Sequence, residues 1–167
     1  MAERKRERGD LEGLFRAHYP SVLRLARVLT GDDGQAEDIA QDAFVRLDGT
    51  RSWPTPGAEL AYLRRTVVNL SHDHFRRRRV VRRHTRPSDD NAGDLTGPAA
   101  LDRSQQGRVA DAVRALPSRQ RDCVVLRYYS GLSDAEVAEV LDVGIGTVKQ
   151  SIARARSHLA RELRDLQ

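Results

Sequence analysis

The chain has 167 residues and a net charge of +5, from 29 Lys and Arg against 24 Asp and Glu. A basic balance favours a polyanionic partner, of which nucleic acid is the simplest. No apolar run approaches the roughly 20 residues that span a bilayer, and MAERKRERGD at the start lacks the apolar core of a secretion signal. We therefore expect a cytoplasmic protein. The single cysteine, Cys123, cannot form an internal disulfide, and its apolar neighbours predict a buried structural thiol.

Two helices are predicted in the first 50 residues. In the first, apolar residues recur at helical spacing from Leu11 to Leu29, Gly31 ends the pattern, and Pro20 is expected to interrupt or kink it. The second covers residues 34–47 and turns an apolar stripe inward. Its predicted outer face consists of Glu37, Asp38, Gln41, Asp42, Val45 and Arg46. Acidic residues near the start of a helix are stabilised by its dipole, which explains the presence of Glu37 and Asp38 better than that of Asp42.

A loop over residues 49–57 carries the only tryptophan, Trp53, beside Arg51 and Pro54. The indole could tuck into the core, or it could stack on an unpaired base, as aromatic side chains do on surfaces that bind single strands. Composition and spacing do not separate these two alternatives.

The third predicted helix begins after this loop and accumulates arginine toward its end. Its expected buried side comprises Leu60, Leu63, Val67, Leu70 and His74 or Phe75. Seven arginines lie between Arg76 and Arg86. Such a run is often only a solvated helix end, but its density favours contacts with a phosphate backbone. His72 and His74 have a spacing seen in metal sites; without a cysteine cluster nearby, we expect ordinary surface or core histidines.

Residues 87–104 are rich in Pro, Gly, Ser, Asn and Asp and contain almost no large apolar side chain. They predict a flexible linker, because so little apolar surface cannot offset the entropy of ordering. The pattern therefore predicts an all-α protein with two small helical domains, at residues 9–86 and 105–165.

The second domain contains a predicted helix-turn-helix. Ser133 and Glu136 form a capping-box pattern at the start of one short helix. A glycine-containing turn at residues 143–146 follows, and a second helix is predicted from near Thr147. That helix places Val148, Ile152, Ala155 and Leu159 on one side and leaves a polar, cationic face opposite: Gln150, Ala153, Arg154, Ser157 and Arg161. The alternative is a plain helical bundle, but bundle packing requires neither the turn nor the basic face.

Three segments in this order resemble the extracytoplasmic-function (group 4) sigma factors of bacterial RNA polymerase, particularly actinobacterial members. AEDIAQDAFVRL resembles the helix that docks on the clamp helices of the polymerase β′ subunit. AYLRRTVVNLSHDHFRRRR resembles the helix that melts and reads the −10 promoter element. The segment from LPSRQRDCVVLRYY to IARAR resembles the fourth sigma domain, which reads the −35 element and meets the β flap.

The resemblance implies roles for particular residues. The polymerase-docking face would be Asp38, Gln41, Asp42 and Val45, which gives Asp42 a role. Contacts to −10 DNA would come from Trp53, Arg64, Arg65, Asn69, Arg76, Arg77, Arg78 and Arg79, with Asn69 at the pocket for a flipped base. In the C-terminal domain, Gln150 and Arg154 are the candidates for reading base edges, and Thr147, Lys149 and Ser157 for phosphate contacts.

The turn departs from the family pattern, since Asp142 stands where glycine is more usual and Gly144 where a small or polar residue is more usual. No nucleophile and base set, paired-carboxylate motif, cofactor motif or metal site stands out, so we expect the polymerase to carry the chemistry. The alternative function is a free-standing regulator that binds duplex DNA alone; it would need a surplus apolar stripe for self-association, and none is visible. A general RNA-binding protein would need aromatic motifs that the chain lacks.

The resemblance also implies control of the free protein. We expect both DNA surfaces to be unavailable until needed, either because the domains pack together or because an anti-sigma factor covers them. A flexible linker of this length spans about 20 to 25 Å as a random coil, which lets the domains meet and separate.

Overall fold

The computed structural model describes residues 8–50, 57–85 and 105–164, and within these ranges every regular element is helical. The helices are α1 (Arg8–Thr30), α2 (Asp33–Asp48), α3 (Glu59–Thr85), α4 (Gln105–Ala115), α5 (Ser118–Val124), α6 (Asp134–Leu141) and α7 (Ile145–Arg164), with a π-helical turn at Val125–Tyr129. The predicted all-α class is confirmed. Trp53 and the predicted linker lie outside the described residues. No described helix is both long and apolar enough to cross a membrane.

Helices α1, α2 and α3 pack on one another and form the N-terminal bundle, residues 8–85. The expected interruption at Pro20 is absent, because α1 runs through it as one helix to Thr30. Proline removes only its own N–H from the helical ladder, and Pro20 is exposed, so water can satisfy the carbonyl one turn earlier. The helix ends at Gly31, as predicted, where φ is +70°.

Helix α2 forms because its apolar residues share one face and its first turn is capped. The Asp32 carboxylate accepts a hydrogen bond from the Gln35 N–H at 2.9 Å. The inward stripe is the predicted one, with Ala36, Ile39, Ala40, Ala43, Phe44 and Leu47 buried. Aromatic rings join the two helices, since Phe15 of α1 stacks on Tyr19 at 4.4 Å and meets Phe44 edge-on at 4.9 Å.

Helix α3 is buried over a wider arc than its sequence pattern predicts. Leu63, Val67 and Leu70 are buried as expected, but Thr66, Val68 and Ser71 are buried as well. The extra burial arises because α3 contacts α6 in addition to α1 and α2. The Ser71 hydroxyl satisfies its hydrogen-bonding capacity within the helix by donating to the Val67 carbonyl at 2.8 Å.

Helices α4 to α7 form the C-terminal bundle, residues 105–164, and α6 and α7 are the predicted helix-turn-helix. Ser133 caps α6 and forms the full capping box with Glu136. Asp142, directly after α6, adopts the left-handed conformation, with φ of 54°. Helix α7 begins at Ile145, so Ile145 and Gly146 belong to its first turn.

The two bundles pack against each other through α1 with α4 and the π-helical turn, and through α3 with α6. One apolar core runs across this interface, from Leu25, Leu47 and Leu63 to Leu126 and Val137. A smaller cluster of Leu116, Val124 and Ala155 closes the far side of the C-terminal bundle. The packing between the bundles therefore buries apolar surface and is more than a contact of charged side chains.

Candidate nucleic-acid interface

The outer face of α2 is open to solvent along its length. Asp38, Gln41, Asp42 and Val45 are all exposed, and Val45 exposes 69% of its surface. Exposed valine beside two carboxylates makes a mixed acidic and apolar patch, which suits a protein partner better than DNA. The structure thus brings the four predicted docking residues together on one helix face, which we call the α2 face.

The candidate −10 residues of α3 fall into two groups. Asn69, Arg76 and Arg77 are exposed, and Arg76 forms an ion pair with Asp73 at 2.7 Å. The second group, Arg64 and Arg65, is only half exposed; we call it the α3 arginine pair. The side chains of Arg78 and Arg79, like Trp53, lie outside the described residues.

The α3 arginine pair faces α6 of the C-terminal bundle. The Arg65 guanidinium donates from Nε to the Val140 carbonyl at 3.0 Å and from Nη2 to the Glu139 carbonyl at 3.2 Å. Nη2 also lies 3.5 Å from a carboxylate oxygen of Asp142. Burial lowers the pKa of Arg64, and the charge of Glu136 acts in the opposite direction. Arg65 therefore contacts carbonyl and carboxylate oxygens at the C-terminal end of α6, whereas Glu136 acts on Arg64 only through its charge.

A second polar contact joins α3 to α5. His72 Nε2 lies 2.7 Å from Asp122 Oδ2, and Asp122 is 2% exposed. Beside it, the Arg121 guanidinium lies over the Phe75 ring, 5.0 Å from the centroid. Burial lowers the pKa of Arg121, while Asp122 raises it. His72 thus has a structural partner in the C-terminal bundle, and the described residues contain no cluster of three metal-binding side chains.

The exposed face of α7 carries the candidate −35 residues. Lys149, Gln150, Arg154 and Ser157 are exposed and Thr147 is half-buried at the first turn. The opposite side packs Val148, Ser151, Ile152 and Ala155 into the core. Exposed and buried residues of α7 therefore lie on opposite sides of the helix, as the helical pattern predicts. The polar side chains all project from one face of the second helix of the motif. Packing between the bundles consequently covers part of α3 and leaves the α7 face open, so domain packing alone does not cover both surfaces, and coverage of the α7 face by an anti-sigma factor stays a prediction.

Two arginines that sequence patterning missed extend this surface. Arg127 and Arg156 line a cleft of about 210 Å³ with Tyr128 and Lys149, between the π-helical turn and α7. Arg127 is held by Asp134 at 3.1 Å and by the Leu132 carbonyl at 3.0 Å. Arg156 lies on the same face of α7 as Lys149, because the two are seven residues apart, so helical periodicity could have predicted its position. Arg127 comes from a segment before the motif, and only the fold places it there.

Cys123 is fully buried, as predicted. Burial raises the pKa of its thiol, although a hydrogen bond with Ser151 opposes that rise. A protonated, inaccessible thiol is unreactive at neutral pH, so Cys123 serves as a small core residue.

Comparison with known proteins gives matches to both bundles. The model of sigma-70 region 2 matches residues 14–95, and that of sigma-70 region 4 matches residues 106–159. The ECF RNA polymerase sigma factor SigM of Mycobacterium tuberculosis is 37% identical over 162 residues, covering 94% of this chain and 79% of SigM. The RNA polymerase sigma-E factor of Streptomyces avermitilis is 33% identical, covering 94% and 88%.

Among solved structures, the sigma factor RpoE from Bartonella quintana, crystallised with the anti-sigma factor NepR, has the same fold. Its TM-score is 0.73 at 24% identity, over 93% of this chain and 97% of that one. The two matched regions and the two relatives that cover most of the chain identify the same family, and the order of the three segments agrees with it. The chain belongs to the ECF family of RNA polymerase sigma factors.

Proposed function

We propose that this chain is a dissociable specificity subunit that binds bacterial core RNA polymerase, recognises −10 and −35 promoter elements and starts transcription of a particular set of genes. The observation that carries the proposal is the placement of three candidate surfaces on separate helices of one small chain: the α2 face, α3 and the α7 face. The polymerase supplies the chemistry, and the work takes place in the cytoplasm, where that enzyme acts.

The α2 face would dock on the clamp helices of the polymerase β′ subunit. Its two aspartates, Asp38 and Asp42, supply charge that steers association, and the exposed Val45 supplies apolar contact. Asp42 is too far into α2 to serve the helix dipole, which acts only within the first turn. A role in docking accounts for an acidic residue that helix formation does not require.

The α3 side chains would hold the melted −10 strand. Opening a duplex costs stacking and pairing energy, which a pocket for an extruded base and a basic track for the strand can offset. Asn69 would contact the base, with Trp53 from the preceding loop. Phosphates would be held by Arg64, Arg65, Arg76, Arg77, Arg78 and Arg79.

The α7 face would lie in the major groove at the −35 element. Gln150 can pair with adenine and Arg154 with guanine through two hydrogen bonds each. Thr147, Lys149 and Ser157 would contact phosphates, and the cleft adds Arg156 beside Lys149, whereas Arg127 is paired with Asp134. The C-terminal bundle would also meet the β flap, and an anti-sigma factor is a further expected partner.

The test is run-off transcription by purified core polymerase on a pool of genomic promoters. We expect the wild-type chain to produce promoter-specific transcripts, and the double variant Asp38→Arg/Asp42→Arg to lose them with unchanged circular dichroism. The matched control is Glu12→Arg/Glu162→Arg, which reverses two exposed charges on α1 and α7 and should retain activity. Absence of stimulation by the wild-type chain, together with tight duplex binding by the chain alone, would favour a free-standing regulator.

A further inference from the structure

An aliphatic side chain is exposed where α7 begins. Ile145 is the first residue of α7 and exposes 46% of its surface. Among the described residues it belongs to neither apolar cluster, so the core gains nothing from it. A β-branched residue is also less favourable in a helix than alanine. Neither core packing nor helix propensity therefore explains an isoleucine at this position.

The space beside Ile145 is open, because glycine lies on both sides of it. Apart from chain neighbours and the backbone of its own helix, a Cβ added to Gly146 would meet no described atom within 4 Å. One added to Gly144 would meet only Thr147 Oγ1, at 3.9 Å. Neither glycine has a positive φ, so the backbone conformation does not require glycine at either position. The described part of the chain leaves this space unfilled, and a partner can approach the Ile145 side chain closely.

Cations lie along the same edge of α7 as Ile145. Lys149 and Arg156 follow it by four and eleven positions, which places the three residues within about 40° of one another around the helix axis. Both cations are exposed and line the cleft beside the π-helical turn. The proposed function assigns them to phosphates of the −35 duplex. Ile145 would then lie against the wall of the major groove, next to the strand that these cations hold.

The thymine methyl group is the apolar feature of that wall. Of the four DNA bases, only thymine presents a methyl group in the major groove, and the group lies toward the backbone of its own strand. An aliphatic side chain gains free energy when it buries that methyl group, but it cannot pair with the donors and acceptors of the other base edges. The recognition helix of this motif contacts base edges with its N-terminal residues, and Ile145 is at that end of α7.

We propose that Ile145 reads a thymine of the −35 element through apolar contact with the 5-methyl group of the base. The inference rests on the proposed binding of the α7 face in the major groove, and it adds a specificity-determining residue to Gln150 and Arg154. The exposed cations beside Ile145 favour DNA over an apolar protein surface, since the centres of protein interfaces are depleted of such charges.

The experiment is a double-mutant cycle between the side chain and the methyl group. Core polymerase carrying the full-length chain is bound to a promoter fragment recovered from the run-off experiment. Each −35 thymine, on either strand, is replaced in turn by deoxyuridine, which lacks only the methyl group. The test variant is Ile145→Ala, and Ile145→Val keeps a β-branched aliphatic side chain. The matched control is Val109→Ala on α4, where the valine exposes 42% of its surface.

We expect deoxyuridine at one −35 position to lower the affinity of the wild type and of the control about fourfold, which corresponds to the burial of one methyl group. Ile145→Ala should bind the thymine and deoxyuridine promoters equally, because it has already lost the contact. Ile145→Val should keep most of the difference. Circular dichroism of the free proteins should show the same helix content in all four.

The outcomes separate this inference from the proposed function. Equal costs of deoxyuridine in the wild type and in Ile145→Ala, at every −35 position, would overturn the contact with thymine and leave the sigma function intact. A loss of affinity in Ile145→Ala that is the same with every promoter would also overturn it, and would place Ile145 against the polymerase. No promoter-specific binding by the wild type would overturn the proposed function as well, and the run-off experiment identifies that case independently.

Discussion

Gly31 and Asp142 both adopt the left-handed backbone conformation, but for different physical reasons. At Gly31 the turn between α1 and α2 reverses the chain, and a Cβ there would lie 2.9 Å from Cδ of Arg114 in the other bundle. At Asp142 the side chain is exposed and reaches Arg65. Position 31 thus requires glycine for its backbone conformation, whereas at position 142 an aspartate adopts a similar conformation and places its carboxylate near Arg65.

We expect Gly31→Ala to lower the free energy of unfolding by about 1 to 2 kcal/mol, the cost of forcing an alanine into the left-handed region. The close approach to Arg114 also requires that side chain to move. The matched control is Gly13→Ala within α1, where no atom lies within 4 Å of the added Cβ. Chemical denaturation should show Gly13→Ala to be more stable than the wild type by about 0.5 to 1 kcal/mol. Equal effects of the two changes would contradict this account.

Helix α6 is a short helix with a complete capping box. Eight residues are too few for a helix to persist in water by itself. Two features fix it: the buried residues Val137, Ala138 and Val140, and the capping box of Ser133 and Glu136. The Ser133 backbone N–H donates to Glu136 at 2.8 Å, and the Ser133 hydroxyl accepts from the Glu136 N–H at 3.2 Å. Sequence and structure agree at this element because capping depends on neighbouring residues only.

We expect Ser133→Ala to cost about 1 kcal/mol of unfolding free energy at neutral pH. The effect should shrink in acid. The folded-state pKa of Glu136 lies below its usual 4.5, so its contribution is present above that pH and is lost as pH falls through the lower, folded-state value.

Denaturation of both proteins between pH 7 and pH 3 measures this difference. Ser118→Ala is the control, since Ser118 begins α5 on the surface, where the capping position is held by Pro117 without a side-chain hydrogen bond. It should change stability by less than about 0.5 kcal/mol at every pH. A loss for Ser133→Ala that does not depend on pH would argue against the ionised capping box.

At the scale of the whole molecule, the interface between the bundles combines apolar burial with polar contacts between described residues. The core is continuous from α1 to α6, and the polar contacts include Arg65 with α6 and His72 with Asp122. Asp122 is the more deeply buried partner, at 2% exposure, and its Oδ1 has no hydrogen-bond donor among the described residues. A buried carboxylate depends on its partners, so this contact should be sensitive to change.

We expect Asp122→Ala to lower the free energy of unfolding by about 1 to 3 kcal/mol, because the half-buried His72 loses its acceptor. The radius of gyration from small-angle scattering should increase as the bundles separate more often. Glu12→Ala on α1 is the control, since it removes an exposed carboxylate paired with the exposed Arg16 within the same helix. A stable, equally compact Asp122→Ala protein would show that apolar burial alone holds the bundles together.

Most of the fold and of the candidate surfaces could be predicted because they depend on local patterns. The buried residues of α2, the capping box at Ser133 and the polar face of α7 all follow from helical periodicity and capping, which involve residues three or four positions apart. The interruption at Pro20 does not occur, since a single missing donor did not break a helix anchored on both sides by core residues, and a kink there stays a prediction.

Contacts between distant residues were the part that patterning could not supply. Three features depend on segments that are far apart in the chain. They are the burial of Thr66, Val68 and Ser71, the pairing of His72 with Asp122, and the placement of Arg127 beside α7. The sequence by itself determined the helices, their amphipathic faces and the family. Only the tertiary structure decided which polar faces stay exposed and which ones meet, because the charge and periodicity of a helix face do not specify whether it is covered by water, by another helix or by DNA.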